Sequence, residues 1–254
     1  MPAKMKGYQP QKYIDINISG TLNVLEYCKT AKVSQIIYTQ SHSDLGAYWG
    51  KKIIEPYDSY NIKYGDDHTV YIISKIAAVE LIKQYHAQYG IKYAIFRCPN
   101  IYAYYPSKYY YVNGEKKEIA YRKLIDKAIK SETIEIWGDC KVKKDIVYVK
   151  DLIQMIASAI DKEIDSSIYN VSTGVPTSLE EQILGIVKVF SPKGKASHIE
   201  YRPEYNINLN NHRYSIDNAI KELNYQPKYY YIEMLKDIYC EMMSDRFKEV
   251  INSD

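Results

Sequence analysis

Val33-Ser34-Gln35-Ile36-Ile37-Tyr38 is a short run rich in β-branched residues, followed by Thr39-Gln40-Ser41, and it predicts a buried strand over 33–38. Ser41 to Gly46 then form the loop at the strand's carboxyl end, which is where open α/β sheets place their ligands. Further on, Tyr71 to Tyr89 carries Ile72, Ile76, Val79, Leu81 and Ile82 on an apolar side and stops before Gly90, so it predicts a helix. Lys92 to Arg97 reads as a second strand, and the Pro99-Asn100 step opens the loop after it. Strand, helix and strand in that order imply a parallel pair joined by a crossover. Tyr71 and Lys75, one turn apart, share a face of the intervening helix.

Outward from this unit the pattern continues in both directions. Residues 13 to 30, with Ile14, Ile16, Ile18, Leu22, Val24 and Leu25, read as a helix despite Gly20. After residue 101 the expected elements are a helix from Ile119 to Lys130, strands Thr133 to Trp137 and Asp145 to Val149, a helix from Asp151 to Ile160 and a strand from Ser167 to Val171. Ser178-Leu179-Glu180-Glu181 has the form of a capping box opening a helix over 179–190. A strand from His198 to Tyr201, a helix from Asp217 to Leu223 and a last helix from Tyr231 to Ile251 complete the chain.

Composition narrows the class. The 254 residues are 46% hydrophobic, and a net charge of +3 with 26% charged residues of mixed sign gives no strong field for nucleic acid or an anionic membrane. No apolar run approaches the roughly 18 residues of a membrane helix, and Met1 to Lys6 is followed by no signal-peptide core. Cys28, Cys98, Cys140 and Cys240 stand far apart with no metal-ligand spacing, which points to reduced thiols in a cytoplasmic protein and to no metal site. The five histidines show no paired spacing. Tyrosine is abundant, at 29 against three phenylalanines, and clusters with lysine between Tyr102 and Lys117, where a solvated loop is the expectation over a nucleic-acid strand site.

With that much tyrosine and lysine, roughly three Tyr-x-x-x-Lys matches arise by chance, and the sequence holds four. The Tyr71/Lys75 match gains its meaning from its ordered surroundings. Asn17-Ile18-Ser19-Gly20-Thr21, Ile36 to Ser41 followed by Gly46, and Arg97-Cys98-Pro99-Asn100-Ile101-Tyr102 come in one order with it. Gly138-Asp139, Lys144-Asp145-Ile146-Val147-Tyr148-Val149-Lys150-Asp151 and Tyr169-Asn170-Val171-Ser172-Thr173-Gly174 follow. Together they resemble the NAD-dependent epimerase/dehydratase family of extended short-chain dehydrogenase/reductases, which includes the UDP-galactose 4-epimerases. Three departures stand out: Leu45 precedes Gly46 where the family has tyrosine, Ala103 replaces a glycine, and Lys144 stands in an arginine position.

The resemblance implies an α/β fold: the C-terminal part of a doubly wound parallel, Rossmann-like sheet plus a smaller α/β substrate-binding lobe. Residues 1–103 are expected to form the partial Rossmann-like domain, and 104–254 mostly the lobe, with segments around 139–165 returning to the first. It also implies a catalytic set of Ser41, Tyr71 and Lys75. Tyr71 would exchange a proton with a sugar hydroxyl while hydride passes to or from a nicotinamide, and Ser41 would bond the same oxygen. A lysine ammonium beside Tyr71 would lower its phenol pKa from near 10. Asn17, Tyr71 and Lys75 would contact NAD, and Asn100 and Lys144 a nucleotide-diphosphate sugar. Lysine keeps the arginine's charge there but loses its bidentate fork. Dehydratases of the family carry Asp-Glu after the serine position, whereas His42-Ser43 follow Ser41, so epimerase or reductase chemistry is favoured.

The family's opening strand, Gly-x-x-Gly-x-x-Gly turn and helix, which cradle the dinucleotide pyrophosphate, have no match among the eleven scattered glycines. The expectation is a chain truncated by roughly 60 to 80 residues relative to a complete dinucleotide fold. Strand 33–38 would then lose a neighbour and expose an edge. The missing cradle would lie upstream or in a separate N-terminal subunit, and a homodimer through the helices at 13–30 and 71–89 is also open. The competing expectation is a non-catalytic remnant that keeps a sugar-nucleotide pocket without NAD.

Overall fold

The structure is a computed structural model that describes residues 9–65, 68–112, 115–162, 164–205 and 211–247. Residues 10–30 form a continuous helical rod made of α1 (Pro10–Tyr13), a π-helical segment (Ile14–Ser19) and α2 (Gly20–Thr30). The rod starts earlier than expected because Pro10, with its fixed φ, suits a first helical position. Strand β1 (Gln35–Ser41) is displaced toward the C-terminus from the predicted 33–38. Thr39, Gln40 and Ser41 are polar, but their backbones pair with Phe96, Arg97 and Cys98, and a ladder needs no apolar side chain. Ser41 therefore ends a strand rather than opening a loop, and His42–Tyr48 is a 3₁₀ segment.

A two-residue β2 (Ile53–Ile54) leads to α3 (His68–Tyr89), which begins one turn before the expected Tyr71. Then come β3 (Lys92–Cys98), β4 (Ile101–Tyr102) and the hairpin β5 (Tyr109–Val112) and β6 (Glu115–Glu118), where a loop was expected. Next are α4 (Ala120–Ile129), β7 (Ile134–Trp137), β8 (Lys143–Lys144) and β9 (Val147–Tyr148). The strand expected over Asp145 to Val149 shrinks to β9 because Val149 already opens α5 (Val149–Asp161). The rest is β10 (Ser167–Asn170), β11 (Thr177–Ser178), α6 (Leu179–Phe190), β12 (Ile199–Arg202), β13 (Arg213–Tyr214), α7 (Asp217–Leu223) and α8 (Tyr231–Met243). Residues 248–251 of the expected last helix, and the Met1 to Lys6 stretch, lie outside the described residues.

The expected parallel pair is present: β1 and β3 run parallel with Ser41 opposite Cys98, and β10 pairs with the other side of β3. Helices cover both faces. On one, Leu25 of α2 and Val79, Ile82 and Tyr85 of α3 pack with Ile95 and Ile168. On the other, Met155 and Ala159 of α5 and Ala219 and Leu223 of α7 pack with Ala94, Phe96 and Tyr169. Both faces being dry explains why β3 reads as an almost unbroken apolar run. Helices α5 and α7 thus pack on the sheet and β10 belongs to it, although all three lie beyond residue 103. A separate core joins α4, α6 and α8 through Ile125, Ile183, Ile186, Met234, Leu235 and Ile238. The Ser178 capping box is formed, with both reciprocal hydrogen bonds present.

The tyrosine excess has a partial physical account here. Tyr148, Tyr169, Tyr214 and Tyr225 are fully buried, and each hydroxyl has a partner: Asp237, Glu222, His42 and the Ser172 carbonyl. A phenylalanine at any of these positions would fill the space and strand the polar partner.

Candidate active site

The carboxyl ends of β1 and β3 and the first turns of α3 enclose a cavity of about 460 Å³. Ser41, Tyr71, Lys75 and Asn100 all line it, together with His42, Ser43, His68 and Cys98. The parallel register sets this up, because it puts Ser41 directly across from Cys98, and the helix that joins the two strands must begin above them. Ser41 is extended (φ −84°, ψ 139°), and its Oγ accepts a hydrogen bond from the Ser43 N–H at 3.2 Å.

Asn17 belongs to the wall behind this cavity. It sits in the π-helical segment, where its Nδ2 donates to Ser74 Oγ at 2.9 Å, and Ser74 Oγ donates in turn to the Tyr71 carbonyl at 2.7 Å. The rod at 10–30 therefore fixes the turn of α3 that carries Tyr71. Tyr13 reinforces this with an edge-on ring contact to Tyr71 at 5.9 Å.

The electrostatics differ from the expectation of a lysine-lowered phenol. Burial, then the neighbouring Cys98, push the Tyr71 phenol above its ordinary value, and a hydrogen bond from Ser41 pulls the other way. Lys75 is buried, at 9% exposure, with Nζ 3.9 Å from the centre of the Tyr38 ring. Burial pushes its ammonium down to about 8. The Cys98 thiol is pushed up to about 12 by burial and stays protonated. Tyr71 is thus protonated at rest, and Lys75, one turn along the same helix and lowered to about 8, packs on the Tyr38 ring face.

Lys144 does not line this cavity. It lies in β8, bridged to His212, and burial pushes its ammonium below the ordinary value. His212 in turn packs against His42 and Trp49. His42 was missed by the sequence reading, and its partners explain why: Tyr214 and His212 lie some 170 positions away in the chain. The signal available was its place immediately after Ser41.

Lys75 brings a buried amino head to the cavity that Tyr71 also lines, with no acid within its own turn, and these are the groups that would hold a nicotinamide ribose. The described residues contain no glycine-rich turn between a strand and a helix that would receive a pyrophosphate. No group of three or more His, Cys, Asp or Glu among them is placed to hold a metal, and the four cysteines are free. None of their helices is long and apolar enough to cross a membrane.

A family model described as the NAD dependent epimerase/dehydratase family matches residues 5–172. A protein from Methanocaldococcus jannaschii, described as a putative UDP-glucose 4-epimerase, is 32% identical over 179 residues, covering 68% of this chain and 52% of that protein. The chain therefore spans about half the length of that relative. Two solved structures share the fold. UDP-glucuronic acid 4-epimerase from Bacillus cereus, in complex with NAD, superposes with a TM-score of 0.69 at 20% identity, over 94% of this chain and 72% of that one. UDP-glucose 4-epimerase from Thermotoga maritima, with UDP-glucose, gives 0.70 at 19% identity, over 93% and 73%.

Proposed function

The chain belongs to the NAD-dependent epimerase/dehydratase family, and from that premise we propose that its cavity is the reaction site of a nucleotide-sugar epimerase. The observation that carries this reading is the convergence of Ser41, Tyr71, Lys75 and Asn100 on one cavity from β1, α3 and the loop after β3. Tyr71 holds or moves the proton of a sugar hydroxyl at its Oη, and the Ser41 Oγ orients the same oxygen. Lys75 neutralises the tyrosinate when it forms and holds a ribose, with Asn17 keeping the turn beneath them in place. NAD, when bound, supplies the hydride acceptor. Asn100, exposed at the cavity mouth, contacts the nucleotide-diphosphate sugar, and Lys144 meets its diphosphate from the neighbouring β8. The His42-Ser43 pair in place of two carboxylates favours epimerisation over dehydration, since it supplies no acid for an eliminated hydroxyl.

In this reading residues 1–103 carry the catalytic half. Residues 104–254 form mostly the substrate lobe, with the segments on the sheet as exceptions. Four free thiols suit a reducing cytoplasm.

A second reading, a sugar-nucleotide binder without NAD, has its own observation: among the described residues β1 pairs with β3 alone and no glycine-rich turn is present. Isothermal titration of the purified chain with NAD and with UDP-glucose, UDP-galactose and UDP-glucuronate separates the two. Binding of both ligand classes, with epimerisation that Tyr71→Phe reduces at least a hundredfold, supports the enzyme. UDP-sugar binding without NAD supports the second reading, and binding of neither class sinks both.

A further inference from the structure

His42 follows Ser41 directly and lines the same cavity as Tyr71, yet no step above uses it. Its ring is clamped: Trp49 lies 4.8 Å away between centroids, His212 lies at 5.8 Å, and Nδ1 is 2.5 Å from the Tyr214 hydroxyl. The bond to Tyr214 fixes the tautomer. Tyr214 is 2% exposed, and burial with the nearby Asp145 pushes its phenol well above the ordinary value, so the hydroxyl keeps its proton. Were Nδ1 to carry the hydrogen, the Tyr214 O–H would lose its acceptor in a dry site, where an unmade hydrogen bond is costly. The hydroxyl therefore donates to Nδ1, and a neutral imidazole must then carry its hydrogen on Nε2.

Neutrality follows from the surroundings. Burial is the largest cause holding His42 down, to about 3, and His212, His68 and Arg97 act the same way. Nε2 has no hydrogen-bond partner among the described residues, yet it is not sealed among the buried polar atoms that lack one. The open space that His42 borders is the cavity.

Resting on the epimerase reading, we propose that His42 is a substrate-specificity residue: Tyr214 holds it as the Nε2–H tautomer, and Nε2–H donates to a sugar oxygen seated beside Ser41. A fixed, uncharged donor recognises a hydroxyl or keto oxygen of the sugar and takes no part in holding the nucleotide diphosphate. Such a group discriminates the sugar without supplying a proton for elimination.

The test uses the full chain labelled with ¹⁵N-histidine, with His42→Leu assigning the ring signals in long-range ¹H–¹⁵N spectra. The expected result is a protonated Nε2 and an unprotonated Nδ1, a pattern that Tyr214→Phe turns into a tautomer mixture. UDP-glucose, UDP-galactose or UDP-glucuronate should move the Nε2 resonance while UDP leaves it in place. By titration, His42→Leu should weaken the UDP-sugar about tenfold relative to UDP. His42→Gln, which keeps an N–H donor, should restore part of that loss. A thermal midpoint within a few degrees of the parent shows that each variant is folded. An Nδ1–H tautomer overturns the proposal, as does a UDP-sugar that binds without moving Nε2 or a loss shared equally by UDP. In those cases the epimerase reading stands. If no UDP-sugar binds the parent protein, both fall together.

Discussion

Arg97 and Asp44 form an ion pair sealed from solvent, with Nε 3.1 Å from Oδ2 and side chains 2% and 0% exposed. The pair locks the 3₁₀ segment after Ser41 to the middle strand of the sheet. Arg97 also donates to the Pro56 carbonyl and to Asn170 Oδ1, and Gln40 donates to Asp44 Oδ2. Burial pushes the Asp44 carboxyl above its ordinary value, and Arg97 pulls it back. Removing one partner leaves the other charge in a dry site, which costs about 3–5 kcal/mol. Arg97→Met or Asp44→Asn alone should therefore lower the urea midpoint sharply, and the double variant should cost less than the two single losses combined. Strict additivity in a double-mutant cycle would show that the pair is not coupled.

Lys75, which the epimerase reading places in the reaction site, is held there against a burial penalty. Its folded pKa, near 8, lies below the ordinary 10.5. Below pH 8 both folded and unfolded chains hold the proton, and the burial penalty is felt in full. Between pH 8 and 10.5 the folded chain has released a proton that the unfolded chain still binds, so stability rises with pH. Lys75→Met removes a penalty on the order of 3 kcal/mol. The variant should be more stable than the parent at pH 7, by a margin that shrinks toward pH 10, and on the epimerase reading it should also lose turnover. Equal stability at both pH values would mean that the ammonium is not penalised where it sits.

The Arg97–Asp44 pair and Lys75 also show what the sequence could and could not reveal. Ser41, Tyr71, Lys75 and Asn100 were legible because one contiguous strand, helix and strand brings them together, so their order along the chain is their order in space. Arg97 and Asp44 lie in that same unit, but nothing in a sequence marks an arginine as buried. The β1 boundary slipped because Thr39 to Ser41 pair through the backbone alone. The π-helical segment around Asn17 was invisible, since an inserted residue hardly changes apolar spacing over so short a stretch. Strands β2, β8, β11 and β13 are two residues each and exist through partners far along the chain, such as Arg213 opposite Ile53. Local pattern cannot report such pairings.

Gly185 sits inside α6, where helix propensity alone would favour alanine by about 1 kcal/mol. Packing reverses the sign. A Cβ there would meet Tyr231 at 2.9 Å and Ile232 at 3.1 Å. Tyr231 cannot readily withdraw, because its hydroxyl donates to the Gln182 carbonyl on the same helix. Gly185→Ala should destabilise the protein by about 1–3 kcal/mol through overpacking between α6 and α8, whereas Lys188→Ala on the same helix should be nearly neutral. A raised thermal midpoint for Gly185→Ala would show that the two helices part at little cost.

The outer side of the sheet is where self-association is expected. Among the described residues β1 hydrogen-bonds to β3 alone, so its second row of backbone groups is open. The rod beside it leaves Ile16, Val24 and Tyr27 at 58%, 50% and 68% exposure, at spacings that put them on one side of the helix. An open edge next to an apolar stripe is a template for another chain. The purified protein should therefore show a sedimentation coefficient that rises with concentration. Val24→Lys with Tyr27→Lys should flatten that rise without lowering the thermal midpoint, because neither side chain is buried in the core. A parent protein that sediments as a monomer over a hundredfold concentration range and unfolds in one sharp transition would show that this surface is satisfied as it stands.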